Sequence, residues 1–153
     1  FEYRFAKGAA VALIHDLIII LGIFSLFPIE FNLTGLAAIL AVIGYSLNDS
    51  IVIFDRIREN FRKLRKGSAV EVVNLSINQT LSRTIMTSAT TLLVVVSLCI
   101  FGGTMIHSFA LALVIGIVVG TYSSIYVAGT LAVALGLDRR NFLPPLKVVD
   151  DRP

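Results

Sequence analysis

Two carboxylates and one guanidinium stand inside stretches that are otherwise almost wholly apolar: Asp16, Asp49 and Arg83. Asp16 follows His15, and Asp49 follows Asn48. An ionisable side chain at membrane depth is costly, and function is the default account of it once a partner is named. Desolvation favours the neutral acid, whereas a nearby guanidinium favours the carboxylate. A site where those two effects compete takes up or releases a proton when the arginine moves, so the chemistry open to these residues is proton exchange. The competing reading is a static ion pair that fixes helix register. Buried pairs stabilise poorly, because desolvation offsets the Coulomb gain, and in lipid an apolar pair would pack as well.

The elements that hold these groups follow from hydropathy. Of the 153 residues, 56% are hydrophobic and 15% charged, against about 25% charged in an ordinary soluble domain. Residues 84–137 contain no Asp, Glu, Lys or Arg, more than twice the roughly 20 residues that one crossing needs, so they hold two spans and a turn. The expected architecture is an all-α, polytopic membrane bundle with spans at about 6–27, 33–54, 78–100 and 105–135, a loop at 55–77 and a tail at 138–153. At about 1.5 Å per residue, His15–Asp16 lies roughly 12 Å from the inner end of its span and Asn48–Asp49 about 10 Å from the inner end of the next. Arg83 lies one to two turns from the inner end of the third. Three spans thus deliver Asp16, Asp49 and Arg83 to one level, with Asn48 and His15 beside them and the hydroxyls of Thr87 and Ser88 as supporting hydrogen-bond groups.

The cations set the orientation. Of 13 Lys and Arg, all but Arg83 fall near the start (Arg4, Lys7), in the central loop (Arg56, Arg58, Arg62, Lys63, Arg65, Lys66) or in the tail (Arg139, Arg140, Lys147, Arg152). The two remaining loops, around Glu30 and Gly102, have none. Positive residues mark the cytoplasmic side, so both ends and the central loop are expected there. Anionic lipid accounts for the basic clusters better than nucleic acid does. Phe54, Ile57, Phe61 and Leu64 recur at helical spacing among these cations, a pattern expected of a helix lying in the headgroup region. Ser68-Ala-Val-Glu71 is a capping-box pattern that restarts a helix after Gly67. Gly35, Ala37, Ala38, Ala41 and Gly44 on the second span, and Gly116 with Gly120 on the fourth, are small residues of the kind that let helices approach in lipid.

Enzymatic signatures are missing: there is no phosphate-binding Gly-x-x-x-x-Gly-Lys loop, no His-Glu-x-x-His and no metal-spaced cluster. No cofactor or metal is expected, and the protein reads as a non-enzyme whose energy comes from an ion gradient or a partner. Cys99 is alone and reads as a small buried hydrophobe; His107 reads as interfacial. Phe1-Glu-Tyr-Arg-Phe reads as a loop leaving an earlier span, so the chain is expected to be part of a longer protein.

The stretch Gly44-Tyr-Ser-Leu-Asn-Asp-Ser-Ile-Val-Ile-Phe-Asp-Arg-Ile-Arg-Glu-Asn resembles the signature helix of the SecF family, the smaller membrane subunit of the SecDF protein-export complex. Phe1-Glu-Tyr-Arg-Phe-Ala, Ala12-Leu-Ile-His-Asp, Thr80-Leu-Ser-Arg-Thr with Thr87-Ser, Phe101-Gly-Gly and Gly120-Thr-Tyr-Ser-Ser are similar to further family segments in family order. The resemblance covers the last four of six spans. It implies membership of the RND superfamily and location in the bacterial inner membrane. It also implies work with SecD, near the SecYEG channel and YajC, on a translocating polypeptide, driven by the proton motive force. In the family the relay uses a membrane Asp of the Asn-Asp motif and an Arg of the following span, which correspond to Asp49 and Arg83. A small-molecule exporter of the same superfamily, or a scaffold subunit whose charges only fix packing, are the alternative readings.

Overall fold

A computed structural model describes residues 3–27, 29–64 and 67–134. Among them the order is α1 (Tyr3–Leu26), α2 (Leu33–Lys63), α3 (Ala69–Phe101), α4 (Gly103–Tyr122), a π-helical turn (Ser123–Val127) and α5 (Ala128–Ala134). Four helical stretches are long and apolar enough to cross a membrane: Phe5–Leu26, Leu33–Lys63, Ala69–Phe101 and Gly103–Leu131. The tail expected at 138–153 lies outside the described residues.

Each boundary has a local cause. Asn32 caps α2, its side chain accepting from the Gly35 amide at 3.0 Å. The predicted capping box forms: Glu71 N–H donates to Ser68 Oγ at 3.3 Å, and the Ser68 amide donates to Glu71 Oε2 at 2.9 Å. Gly67 takes φ +124°, a conformation that favours glycine. At the opposite end, Gly102 closes α3 where a Cβ would stand 2.4 Å from the Leu98 carbonyl oxygen.

The central connection differs from the sequence expectation. The helix of α2 does not end near Phe54 and resume along the headgroups; it runs unbroken for 31 residues to Lys63. Helix α3 begins at Ala69 and runs for 33 residues. At about 1.5 Å per residue both exceed the roughly 30 Å hydrocarbon core by some 15–20 Å. The amphipathic pattern of Phe54, Ile57 and Phe61 faces protein rather than lipid. These side chains pack with Ile53, Val72, Val73 and Phe5, all buried, with the Phe5 and Phe54 rings 5.0 Å apart. Asn60 ties the same extension together, donating to Ser76 Oγ at 2.8 Å and Gln79 Oε1 at 3.0 Å.

Close approach in the bundle is concentrated between α2 and α4. A Cβ on Gly116 would fall 2.2 Å from a Val42 methyl, and one on Gly120 3.3 Å from Ser46 Cβ. Of the small residues of α2, Ala38 shares that seam with Ala112 of α4. Gly35 and Ala38 are buried, but Ala37, Ala41 and Gly44 face outward.

Candidate functional site

A buried polar band separates two apolar clusters of the bundle. Toward the Gly102 end, Ile20 and Phe24 of α1 pack with Ala38, Ile39 and Val42 of α2 and Ala112 of α4. Toward the Gly67 end, Ala9 and Ala12 of α1 pack with Ile53, Phe54 and Ile57 of α2. Between these clusters α1, α2, α3 and the π turn all contribute buried polar groups. Asp16 of α1, Ser46, Asp49 and Ser50 of α2, Thr84 and Ser88 of α3, and Ser123 and Ser124 of the π turn are all buried. The band arises because α2 places 46, 49, 50 and 53 on one face at helical spacing, and the first three are polar.

The two carboxyls in this band are held differently. Asp16, 2% exposed, has a partner at each oxygen: Ser46 Oγ donates to Oδ2 at 2.6 Å, and His15 Nδ1 lies 3.1 Å from Oδ1. Gly120 lets α4 close over this pair, since a Cβ there would meet Asp16 Oδ2 at 3.8 Å as well as Ser46. Asp49, 4% exposed, has an Oδ2 that is buried and without a hydrogen-bond partner. Buried polar groups are ordinarily paired, because leaving one unpaired costs its desolvation.

The predicted site residues are only partly brought together. Ser46 joins Asp16 to the Asp49 helix, as the common depth implied. Arg83 is exposed, and among the described residues no ion pair joins it to Asp16 or Asp49. It lines a cavity of about 440 Å³ between α2 and α3, with Ile51, Val52, Asp55 and Thr80 among the walls. Asn48 faces outward, one residue and therefore about 100° round the helix from Asp49. Thr87 is exposed and donates to the Arg83 and Thr84 carbonyls of its own helix. Ser88 is buried and lies 2.8 Å from the Tyr45 hydroxyl and 2.7 Å from that of Thr121. The sequence reading did not single out Ser46, Tyr45 or Thr121. The available signal for Ser46 was its position three residues before Asp49 on the same helical face. Among the described residues no group of His, Cys, Asp and Glu is placed to hold a metal ion.

Comparison with known proteins covers nearly the whole chain. The family described as "Protein export membrane protein SecD/SecF, C-terminal" matches residues 1–138. The "Protein translocase subunit SecF" of Vibrio alginolyticus is 61% identical over 145 residues, 95% of this chain and 46% of the relative. That of Pseudomonas aeruginosa is 53% identical over 155 residues, 100% of this chain and 51% of the relative. The chain therefore spans about half the length of these curated relatives. Among solved structures, SecDF in its super-membrane-facing form superposes with a TM-score of 0.85 at 52% identity, over 88% of this chain and 18% of that one.

Proposed function

Because the chain belongs to the SecD/SecF family of protein export membrane proteins, we propose that it is the C-terminal membrane portion of a SecF subunit that uses the proton gradient to assist protein translocation. Asp49 is the proton-exchanging group, and its partnerless buried oxygen is the observation that carries this reading. A carboxyl with an open oxygen inside the bundle has a place for a proton and no hydrogen bond that must be broken to receive it. Arg83 supplies the opposing charge: from the cavity wall on the adjacent helix it approaches Asp49 in one state and withdraws in another. Asn48 flanks the site, Thr87 and Ser88 hold α3 around Arg83, and Asp16 with His15 supports α2 through Ser46. The protein acts in transport without catalysing a reaction.

SecD is the natural cover for the face bearing Asn48, Arg83 and Thr87, since polar groups exposed at membrane depth pair with other protein groups rather than lipid. SecYEG and YajC are the further expected neighbours, anionic lipid surrounds the cationic end, and the translocating polypeptide is the substrate. The distribution of Lys and Arg supports an orientation with the Gly67 turn in the cytoplasm of a bacterial inner membrane. A cysteine at Ser68 should label only from the cytoplasm and one at Asn32 only from outside; labelling of position 68 from outside overturns it.

The test of the relay is Asp49→Asn in the full-length subunit with SecD. The amide matches the acid in shape but does not exchange a proton, so gradient-dependent export in vesicles should fall to its gradient-free level while complex yield stays normal. Arg83→Lys should lose most of the coupling, because an ammonium lacks the planar fork that pairs with a carboxylate. Full activity of Asp49→Asn rules out the relay.

A further inference from the structure

One hydrogen-bond chain crosses three helices just beyond the Asp49 level. Thr121 Oγ1 donates to the Ile117 carbonyl of its own helix at 2.7 Å. With that proton committed, the 2.7 Å contact between Ser88 and Thr121 has Ser88 as donor. The 2.8 Å contact between Tyr45 and Ser88 then has Tyr45 as donor. The polarity is therefore fixed, from Tyr45 on α2 through Ser88 on α3 to Thr121 and Ile117 on α4.

Its place in the bundle is distinctive. Tyr45 lies four residues from Asp49 and Ser88 five from Arg83, each about 6–8 Å toward the Gly102 end. On the Gly67 side of the chain, the seam between α2 and α3 opens into the cavity bounded by Ile51, Val52, Asp55, Thr80 and Arg83. On the Gly102 side α3 packs on α4: Val95, Ala110 and Ile117 form a buried cluster, with Leu92, Leu98 and Val114 packed against it and Tyr45 as its contact from α2. The chain ends at a carbonyl and runs in one direction, which makes it a fastening rather than a proton wire.

We propose that Tyr45, Ser88 and Thr121 form the outward closure of the proton pathway, a fastening of α3 to α2 and α4 that opens when Asp49 exchanges protons with the outer side. This rests on the relay and orientation above. With that orientation, the cavity lined by Arg83 lies on the cytoplasmic side of the fastening and Tyr45, Ser88 and Thr121 lie on its outer side. Exchange with the outer side requires α3 to part from Tyr45 and Thr121, and Ser88 is the member whose loss releases both bonds.

The experiment uses the full-length subunit with SecD in vesicles, in a Cys99→Ala background with Val52→Cys as probe. Val52 lines the cavity and is only partly buried. With the gradient collapsed, a membrane-impermeant thiol reagent should reach position 52 from the cytoplasmic side and scarcely from outside. Ser88→Ala should raise the outside labelling rate at least tenfold, Tyr45→Phe should raise it less, and Ser88→Thr should restore the closed pattern. Unchanged outside labelling in both Ser88→Ala and Tyr45→Phe, with cytoplasmic labelling intact, overturns the closure. Tyr45→Phe keeps the ring in place and decides the matter if Ser88→Ala does not assemble. These labelling outcomes are independent of Asp49→Asn, so a failed relay and a failed closure are told apart.

Discussion

Asp16 and Asp49 occupy the same buried band, one on α1 and one on α2, yet they are built as opposites. Asp16 has a hydroxyl on one oxygen, an imidazole on the other and a glycine that lets α4 close over it. Asp49 keeps an oxygen that nothing satisfies. A carboxyl whose hydrogen bonds are complete is fixed in position by its partners, whereas a buried oxygen without a partner carries an uncompensated desolvation cost. Depth and burial are alike for the two acids; the hydrogen bonding of each oxygen differs, and the proposed relay rests on that difference.

The sharpest way to break this contrast is to exchange acid for amide at each position. Asp49→Asn should abolish gradient-driven export per assembled complex. Asp16→Asn should instead lower the yield of assembled complex while the export of what assembles remains gradient-dependent. The reverse pattern would assign the exchange to Asp16.

Next in size is Ser46→Ala, which leaves Asp16 Oδ2 as bare as Asp49 Oδ2. Leaving a buried acceptor unpaired costs about 1–3 kcal/mol, to be read as a lowered thermal midpoint in detergent. If no drop appears, the hydroxyl is not what secures Asp16. Gly120→Ala probes the same side more gently. The new methyl meets Ser46 Cβ at 3.3 Å, so Ser46 must yield by a few tenths of an ångström, and the loss should stay below about 1 kcal/mol, the lower end of overpacking. A larger loss there than in Ser46→Ala would mean that helix spacing, not the hydrogen bond, holds the pair. Smallest of all, Ser68→Ala removes the cap of α3 far from both acids and should cost about 1 kcal/mol or less without changing the gradient dependence of export.

What was legible in the sequence divides along and around the helix axis. Position along the axis is residue count times a fixed rise, so the common level of Asp16, Asp49 and Arg83 could be read directly, as could the capping box at Ser68 and the Gly102 turn. Position around the axis depends on which helices pack together, and there the reading was incomplete. Asn48 and Thr87 turned outward, Ala37, Ala41 and Gly44 left the seam, and Ser46 and Tyr45 entered it. The stripe of Phe54, Ile57, Phe61 and Leu64 reads as headgroup-facing in the sequence because an amphipathic stripe looks the same whether it meets a headgroup or another helix. It is Val72 and Val73, more than ten residues on, that bury it.

The extension of α2 and α3 past the bundle has a mechanical meaning. Phe61, Val72 and Val73 pack the two helices together, and Asn60 of α2 donates to Ser76 and Gln79 of α3, so the two extensions are tied side by side. Fourteen residues separate Arg83 from the start of α3 at Ala69, a lever of about 21 Å, and a tilt of about 5° at Arg83 swings its tip by about 2 Å. In the proposed relay, a movement of Arg83 on the cavity wall would therefore be felt at the Gly67 turn.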